Sequence, residues 1–151
     1  MKAFVDSCIF IETFKENGKE EASRIFEYLL KALFDLENVF FVNAIIYSEV
    51  VYKLITKKKR KKEIMEEFIF RLFETFDWLD IPYPLKNLAV SYYKKYKLKP
   101  NDALILATCK YYGIKYLISI DGDFQEPCKK EGILLINSAE KLREILEKEN
   151  L

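Results

Sequence analysis

Apolar positions along this chain follow two alternating rhythms. Short apolar-rich runs at Lys2–Val5, Val39–Val42, 116–120 and 133–136 predict strands, and 79–81 predicts a short edge strand closed by Pro82 and Pro84. Between them apolar residues recur at helical spacing. Ala22, Ile25, Phe26, Leu29, Leu30, Leu33 and Phe34 predict a long amphipathic helix over 19–36, broken by Asn38. Other helices are predicted from about Ile9, over 44–55 behind an Asn43 cap, over 61–78 and over Leu85–Tyr96. A further helix spans 102–112, capped by Asn101 and ended by Gly113. In the last helix Asn137 and Glu140 have capping-box spacing ahead of Leu142, Ile145 and Leu146.

Continuous apolar strands alternating with helices mean a parallel sheet covered on both faces. The expected class is α/β, a doubly wound parallel sheet of four to five short strands with helices on both faces, forming a single domain over 1–151. Ligands in such folds bind outside the carboxyl ends of the strands, near the point where strand order reverses. Asp6 and Asp121 each follow a predicted strand.

Composition narrows the chemistry. The chain has 151 residues, 50% hydrophobic and 32% charged, with a net charge of +1. No apolar run approaches the eighteen or so residues of a membrane span, and Asp6 and Glu12 interrupt the start, so a soluble, cytoplasmic protein with no membrane partner is expected. Histidine is absent, which excludes Ser-His-Asp and Cys-His nucleophilic sites, paired-histidine ribonuclease chemistry and His-containing zinc sites. The three cysteines, Cys8, Cys109 and Cys128, show no CxxC spacing and fit a reducing compartment. Cys8 reads as a small buried residue, with no histidine to activate it. Lys and Glu dominate the charges, 21 and 17 against seven Asp, and Gln125 is the only glutamine, a heat-adapted pattern.

The aspartates are therefore the informative acids. Asp6, Asp102, Asp121 and Asp123 all fall at a predicted strand end or helix start, and Gly122 permits a turn that aims Asp121 and Asp123 at one point. Glu49 shares a helix face with Ile45, Ile46 and Tyr52, a burial that calls for a partner or a metal. Taken singly, each acid has a structural reading as a cap, a turn residue or an ion-pair member. Clustered carboxylates repel one another and raise each other's pKa, a cost relieved by a divalent cation, and oxygen-only ligation selects Mg²⁺ or Mn²⁺. Such ions suit phosphoryl chemistry, which needs no histidine.

The segments VDSCIFIE at 5–12, NAIIYSEVVY at 43–52 and LKPNDALILATCKYYGIKYLISIDGDF at 98–124 together resemble the PIN-domain ribonucleases, and within them the VapC-type toxins of toxin-antitoxin pairs. The resemblance implies that Asp6, Glu49, Asp102 and Asp121 form the catalytic, metal-holding quartet, with Asp123 auxiliary. Ser119 stands where the family often has threonine, to position a carboxylate or water, and Ser7 is the small hydroxyl residue after the first acid. It further implies a metal-dependent endoribonuclease, commonly a homodimer and often held by an antitoxin; with Mg²⁺ or Mn²⁺ at the quartet, attack of water on the phosphodiester is expected to leave 5′-phosphates. One departure is the lysine-rich segment near 57–62, which leaves open a stand-alone PIN protein in RNA processing or turnover. A catalytically degenerate PIN-like binding module is the non-enzymatic alternative.

Two basic stretches are candidate RNA contacts. Lys57, Lys58, Lys59, Arg60, Lys61 and Lys62 follow the Glu49 helix and offer phosphate neutralisation, unless Glu63, Glu66 and Glu67 balance them as a solvated helix start. Tyr92, Tyr93, Lys94, Lys95, Tyr96, Lys97 and Lys99 interleave stacking rings with charge ahead of Asp102, though tyrosines at helical spacing also serve cores and interfaces. The 22 Phe and Tyr residues suggest apolar surface covered by a second copy or an antitoxin peptide. Two rival classes fit less well. A haloacid-dehalogenase-type phosphatase needs a second Asp where Cys8 stands, and a receiver-like module needs a pair of adjacent early acids.

Overall fold

The structure, a computed structural model, describes residues 1–57 and 62–149, with backbone alone for 62–64. Five parallel strands form one sheet in the order β3-β2-β1-β4-β5: β1 (Lys2–Val5), β2 (Val39–Val42), β3 (Asp77–Trp78), β4 (Tyr116–Ile118) and β5 (Leu134–Ile136). In β1 the consecutive residues Ala3, Phe4 and Val5 are all fully buried. Since successive side chains point to opposite faces, both faces of the central strand are covered. Strand order reverses between β1 and β4, where Phe4 sits opposite Leu117 and the Asp6 amide donates to the Ile118 carbonyl at 2.9 Å.

Among the described residues eight α-helices surround the sheet: α1 (Ser7–Phe14), α2 (Glu20–Ala32), α3 (Ala44–Val51), α4 (Lys62–Glu74), α5 (Leu85–Tyr96), α6 (Pro100–Tyr111), α7 (Gln125–Glu131) and α8 (Ala139–Glu149). α1 packs on α2 and α3, and α2 on α8, while α5 pairs with α6. Phe10 is the hub of the first group, tilted against Phe73 at 5.1 Å between ring centroids and edge-on to Phe26 and Phe76. None of the helices among the described residues is long and apolar enough to cross a membrane.

Several boundaries differ from those read off the sequence, each for a local reason. α1 starts at Ser7, ahead of Ile9, because Asp6 caps it. α2 stops at Ala32, where a turn held by Asp35 takes over, so Phe34 and Leu36 lie outside the helix and are 91% and 94% exposed. α4 ends at Glu74 as Thr75 folds back on the Leu72 carbonyl through both amide and hydroxyl. The edge strand accordingly lies at Asp77–Trp78, with only the Leu79 amide, bonded to Val42, reaching into 79–81. α6 begins at Pro100, one residue before the expected Asn101 cap, since proline suits the first helical position. Ser138, not Asn137, caps α8 by accepting from the Lys141 amide. α7 has no counterpart in the sequence reading: it is seven residues long and carries Pro127 in its first turn, where proline is tolerated.

The turn between α1 and α2 makes one steric demand. A Cβ at Gly18 would stand 1.7 Å from the Glu12 carbonyl oxygen, a backbone atom that cannot swing away. Gly18→Ala is expected to destabilise the protein by about 1–3 kcal/mol, the usual range for overpacking, read as a lower urea midpoint at unchanged slope.

Candidate active site

The end of β1 supplies the first acid. Asp6 is 4% exposed; its Oδ1 accepts from the Ser7 amide at 2.8 Å, and its Oδ2 accepts from the Ser119 hydroxyl at 2.7 Å and the Cys8 thiol at 3.3 Å. Ser119 directly follows β4, so this bond ties the two central strands together at the point of reversal. The Asp121 amide donates to Ser119 Oγ at 3.1 Å, and Asp121 Oδ1 accepts from the Asp123 amide at 3.0 Å, closing the tight turn Gly122–Phe124. The Ile120 amide donates to Cys8 Sγ at 3.4 Å. Cys8 is thus half-buried and bonded into the site, a correction to its reading as a small buried filler.

Glu49 and Asp102 come from two helices. Asn43 caps α3 by accepting from the Ile45 and Ile46 amides at 3.1 and 3.2 Å, which fixes the face that carries Glu49. Asp102 lies in the first turn of α6, where the helix dipole favours an acid. Both side chains are half-buried, and Glu49 Oε1 and Asp102 Oδ2 are sealed from solvent with no hydrogen-bond partner.

Burial and mutual repulsion set the electrostatics. Burial raises the Asp6 carboxyl, against the pull of its hydrogen bonds from Ser119, Cys8 and Ser7. Glu49 is raised by burial and by Asp6, partly offset by Lys53. Asp102 is pushed up to about 7 by burial and then by Asp6, Asp121 and Glu49, against Lys99. One carboxylate oxygen each from Asp102, Asp121 and Asp123 lie within 4.8 Å of one another. Two orphaned oxygens and an all-carboxylate set fit a hard divalent cation, whose charge would relieve the repulsion.

Asp6, Glu49, Asp102 and Asp121 line one cleft of about 850 Å³ together with Ser7, Cys8 and Lys57. Ser119 is fully buried beneath it. Lys58, Lys59, Arg60 and Lys61 lie outside the described residues, as does the side chain of Lys62. Tyr93, Lys94, Lys95 and Lys97 do not line the cleft. Tyr93 borders a separate apolar recess with Ala89, Val90 and Leu104, and Lys95 pairs with Glu131 at 3.7 Å. Tyr92 is buried and donates to Glu131 at 2.7 Å, and Tyr96 donates to the same carboxylate. Glu131 thus accepts from both phenols and anchors this face of α5 to α7. The cleft wall instead includes Lys15, Lys19, Lys53 and Lys99; only Lys99 belonged to a predicted basic stretch, although Lys53 follows Glu49 by one helical step.

A family model described as PIN domain matches residues 3–130. A protein named Ribonuclease VapC2, from Methanocaldococcus jannaschii, is 35% identical over 136 residues, covering 82% of this chain and 87% of its own length. Among solved structures, a toxin-antitoxin complex from Klebsiella pneumoniae aligns with a TM-score of 0.56 at 28% identity, over 81% of this chain and 89% of that one. VapBC2 from Rickettsia felis, bound to a DNA fragment from its promoter, aligns with a TM-score of 0.68, over 89% of this chain and 97% of that one. At 14% identity the latter likeness speaks for the fold alone.

Proposed function

This chain belongs to the PIN-domain family, and from that premise we propose that it is a divalent-metal-dependent endoribonuclease of the VapC toxin type. The observation that carries the reading is the carboxylate cleft at the reversal of strand order, with Glu49 Oε1 and Asp102 Oδ2 sealed and unpartnered. Asp6, Glu49, Asp102 and Asp121 are the proposed metal-holding and catalytic residues, with Asp123 auxiliary and Mg²⁺ or Mn²⁺ as the ion. When bound, such an ion supplies positive charge to the non-bridging phosphate oxygens and acidifies water. Ser119 and Cys8 fix the Asp6 carboxylate, and Ser7, itself buried, lines the same cleft. The unpartnered oxygens are the acceptors that remain for a cation or a water proton.

The protein partners belong to the same reading. The Klebsiella relative is a toxin-antitoxin complex, which supports an antitoxin as partner. Half-exposed Val90 and Tyr93, beside the apolar recess between α5 and α6, give a second copy of the chain a surface to bury in a homodimer. The three free cysteines fit a cytoplasmic setting.

In this reading water is the nucleophile and the 3′-oxygen leaves, the hydrolysis that a divalent cation held by carboxylates would support. Cleavage of a mixed RNA pool in Mg²⁺ or Mn²⁺ is expected to yield 5′-phosphate and 3′-hydroxyl ends and to stop in EDTA. Products ending in 2′,3′-cyclic phosphate, or undiminished cleavage in EDTA, would overturn the mechanism.

A further inference from the structure

The helix that carries Glu49 changes pitch directly after it. α3 ends at Val51 and continues as a π-helical turn over Tyr52–Thr56, closed by the Lys57 amide donating to the Tyr52 carbonyl at 3.1 Å. Along an α-helix, residues four apart drift around the axis by about 40°. A turn closed by i→i+5 bonds holds more residues, so the same spacing drifts the other way. Combined, the two keep Glu49, Lys53 and Lys57 on one stripe, and all three line the cleft. Leu54 and Ile55, both buried, anchor the turn.

Lys99 enters the cleft from α6 as the N-cap residue ahead of Pro100. Among the described residues neither Lys53 nor Lys99 has an ion-pair partner, whereas Lys15 is taken up by Glu12 at 2.5 Å. Each is near enough to an acid for its charge to be felt there, Lys53 at Glu49 and Lys99 at Asp102. Among the described residues the cleft is lined by six carboxylates and five lysines, so with every carboxylate ionised these side chains sum to −1, and one divalent cation brings the sum to +1. Its volume of about 850 Å³ is within the range of ligand-binding clefts and leaves room for nucleotides of a single strand.

We propose that Lys53, Lys57 and Lys99 contact the phosphates of a single-stranded RNA in the cleft, and that the π-helical turn Tyr52–Thr56 aims the first two. The inference rests on the ribonuclease reading of this cleft and adds the path of the substrate. In EDTA, where cleavage stops, binding of a fluorescein-labelled unstructured 12-nucleotide RNA is measured by anisotropy from 50 to 200 mM KCl. Each single-strand phosphate contact contributes about 0.7 to the slope of log affinity against log salt. The double variant Lys53→Ala/Lys57→Ala is expected to lower that slope by about 1.4, and Lys99→Ala by about 0.7. Lys148→Ala on α8, away from the cleft, is expected to leave it unchanged. Under Mg²⁺ the double variant should raise KM with kcat largely kept, because these contacts hold ground and transition states alike.

An unchanged slope in the double variant, with native circular dichroism and wild-type cleavage retained, overturns this inference and leaves the ribonuclease reading standing. A fall of the same size in Lys148→Ala also overturns it, since any lysine would then serve. Wild type that neither binds nor cleaves RNA overturns both. If a polyglutamate peptide binds wild type, loses affinity in the double variant and RNA binding does not change, the stripe belongs to a protein partner and the RNA proposal falls.

Discussion

Asp102→Asn is expected to lower RNA cleavage by more than the 10- to 100-fold typical of losing an outer-shell partner, while leaving the metal-free protein as stable as wild type or more so. Asparagine keeps the shape of the side chain and removes the charge that burial, Asp6, Asp121 and Glu49 all oppose. Loss of an acid from the first turn of α6 acts the other way, by about 0.3–1 kcal/mol for an exposed site. Asp102 is only half-buried, so solvent screens its repulsion, and a net gain on the order of 1 kcal/mol, about 2–4 °C in Tm, is the expected balance. Thermal melts in EDTA together with single-turnover cleavage separate the two effects. Wild-type cleavage in the variant would remove Asp102 from the site; a large drop in Tm would make it a structural residue instead.

Metal removal should expose the strain of the acidic cluster as a pH dependence of stability. In the unfolded chain the aspartates lose their protons near pH 4, whereas Asp102 in the fold holds its proton up to about 7. Between those values the folded state binds more protons, so stability falls as pH rises. The penalty is absent below about pH 4 and complete above about pH 7. Asp6 and Glu49 are raised too and add to the same trend. Mg²⁺ or Mn²⁺ binding only the folded state at a hundred times its Kd adds about 2.7 kcal/mol, a rise of about 5–10 °C in Tm, and more at pH 8 than at pH 5 because protons compete for the same oxygens. Melts across pH with EDTA and with 5 mM of either ion, about a hundred times a Kd of order 50 µM, measure both. A Tm indifferent to metal at pH 8 would count against a cation site in this cleft.

Much of the site was legible in the sequence because its chemistry sits at places the fold class makes special. Asp6 and Asp121 follow buried strands, and the cleft opens at those strand ends. Glu49 stood out as a carboxylate among apolar neighbours. What escaped depends on long-range contacts or on backbone detail. Glu131 lies 39 and 35 residues from Tyr92 and Tyr96, and no local signal pairs them. Lys53 has the right spacing from Glu49, but the π-helical turn that holds the stripe in line has no pattern of its own in hydrophobicity. Cys8 was judged by its neighbours in the chain, while its partner Ser119 is 111 residues away. The edge strand was placed two residues late because a two-residue strand with both side chains exposed carries no alternation to read.

The hydrogen bond between Asp6 and Ser119 joins residues 113 apart in the chain, so the order of synthesis matters. β1 and β2 can pair early, but β4 must insert on the other side of β1 before Ser119 and Asp121 reach the first acid. At roughly 5–20 residues per second, ribosomes make that interval in about 6–23 seconds. Throughout that time a nascent chain carries Asp6 and Glu49 without their partners. The cleft is therefore completed by the later half of the chain, and a nascent chain that stops short of β4 holds its first two acids without the residues that orient them.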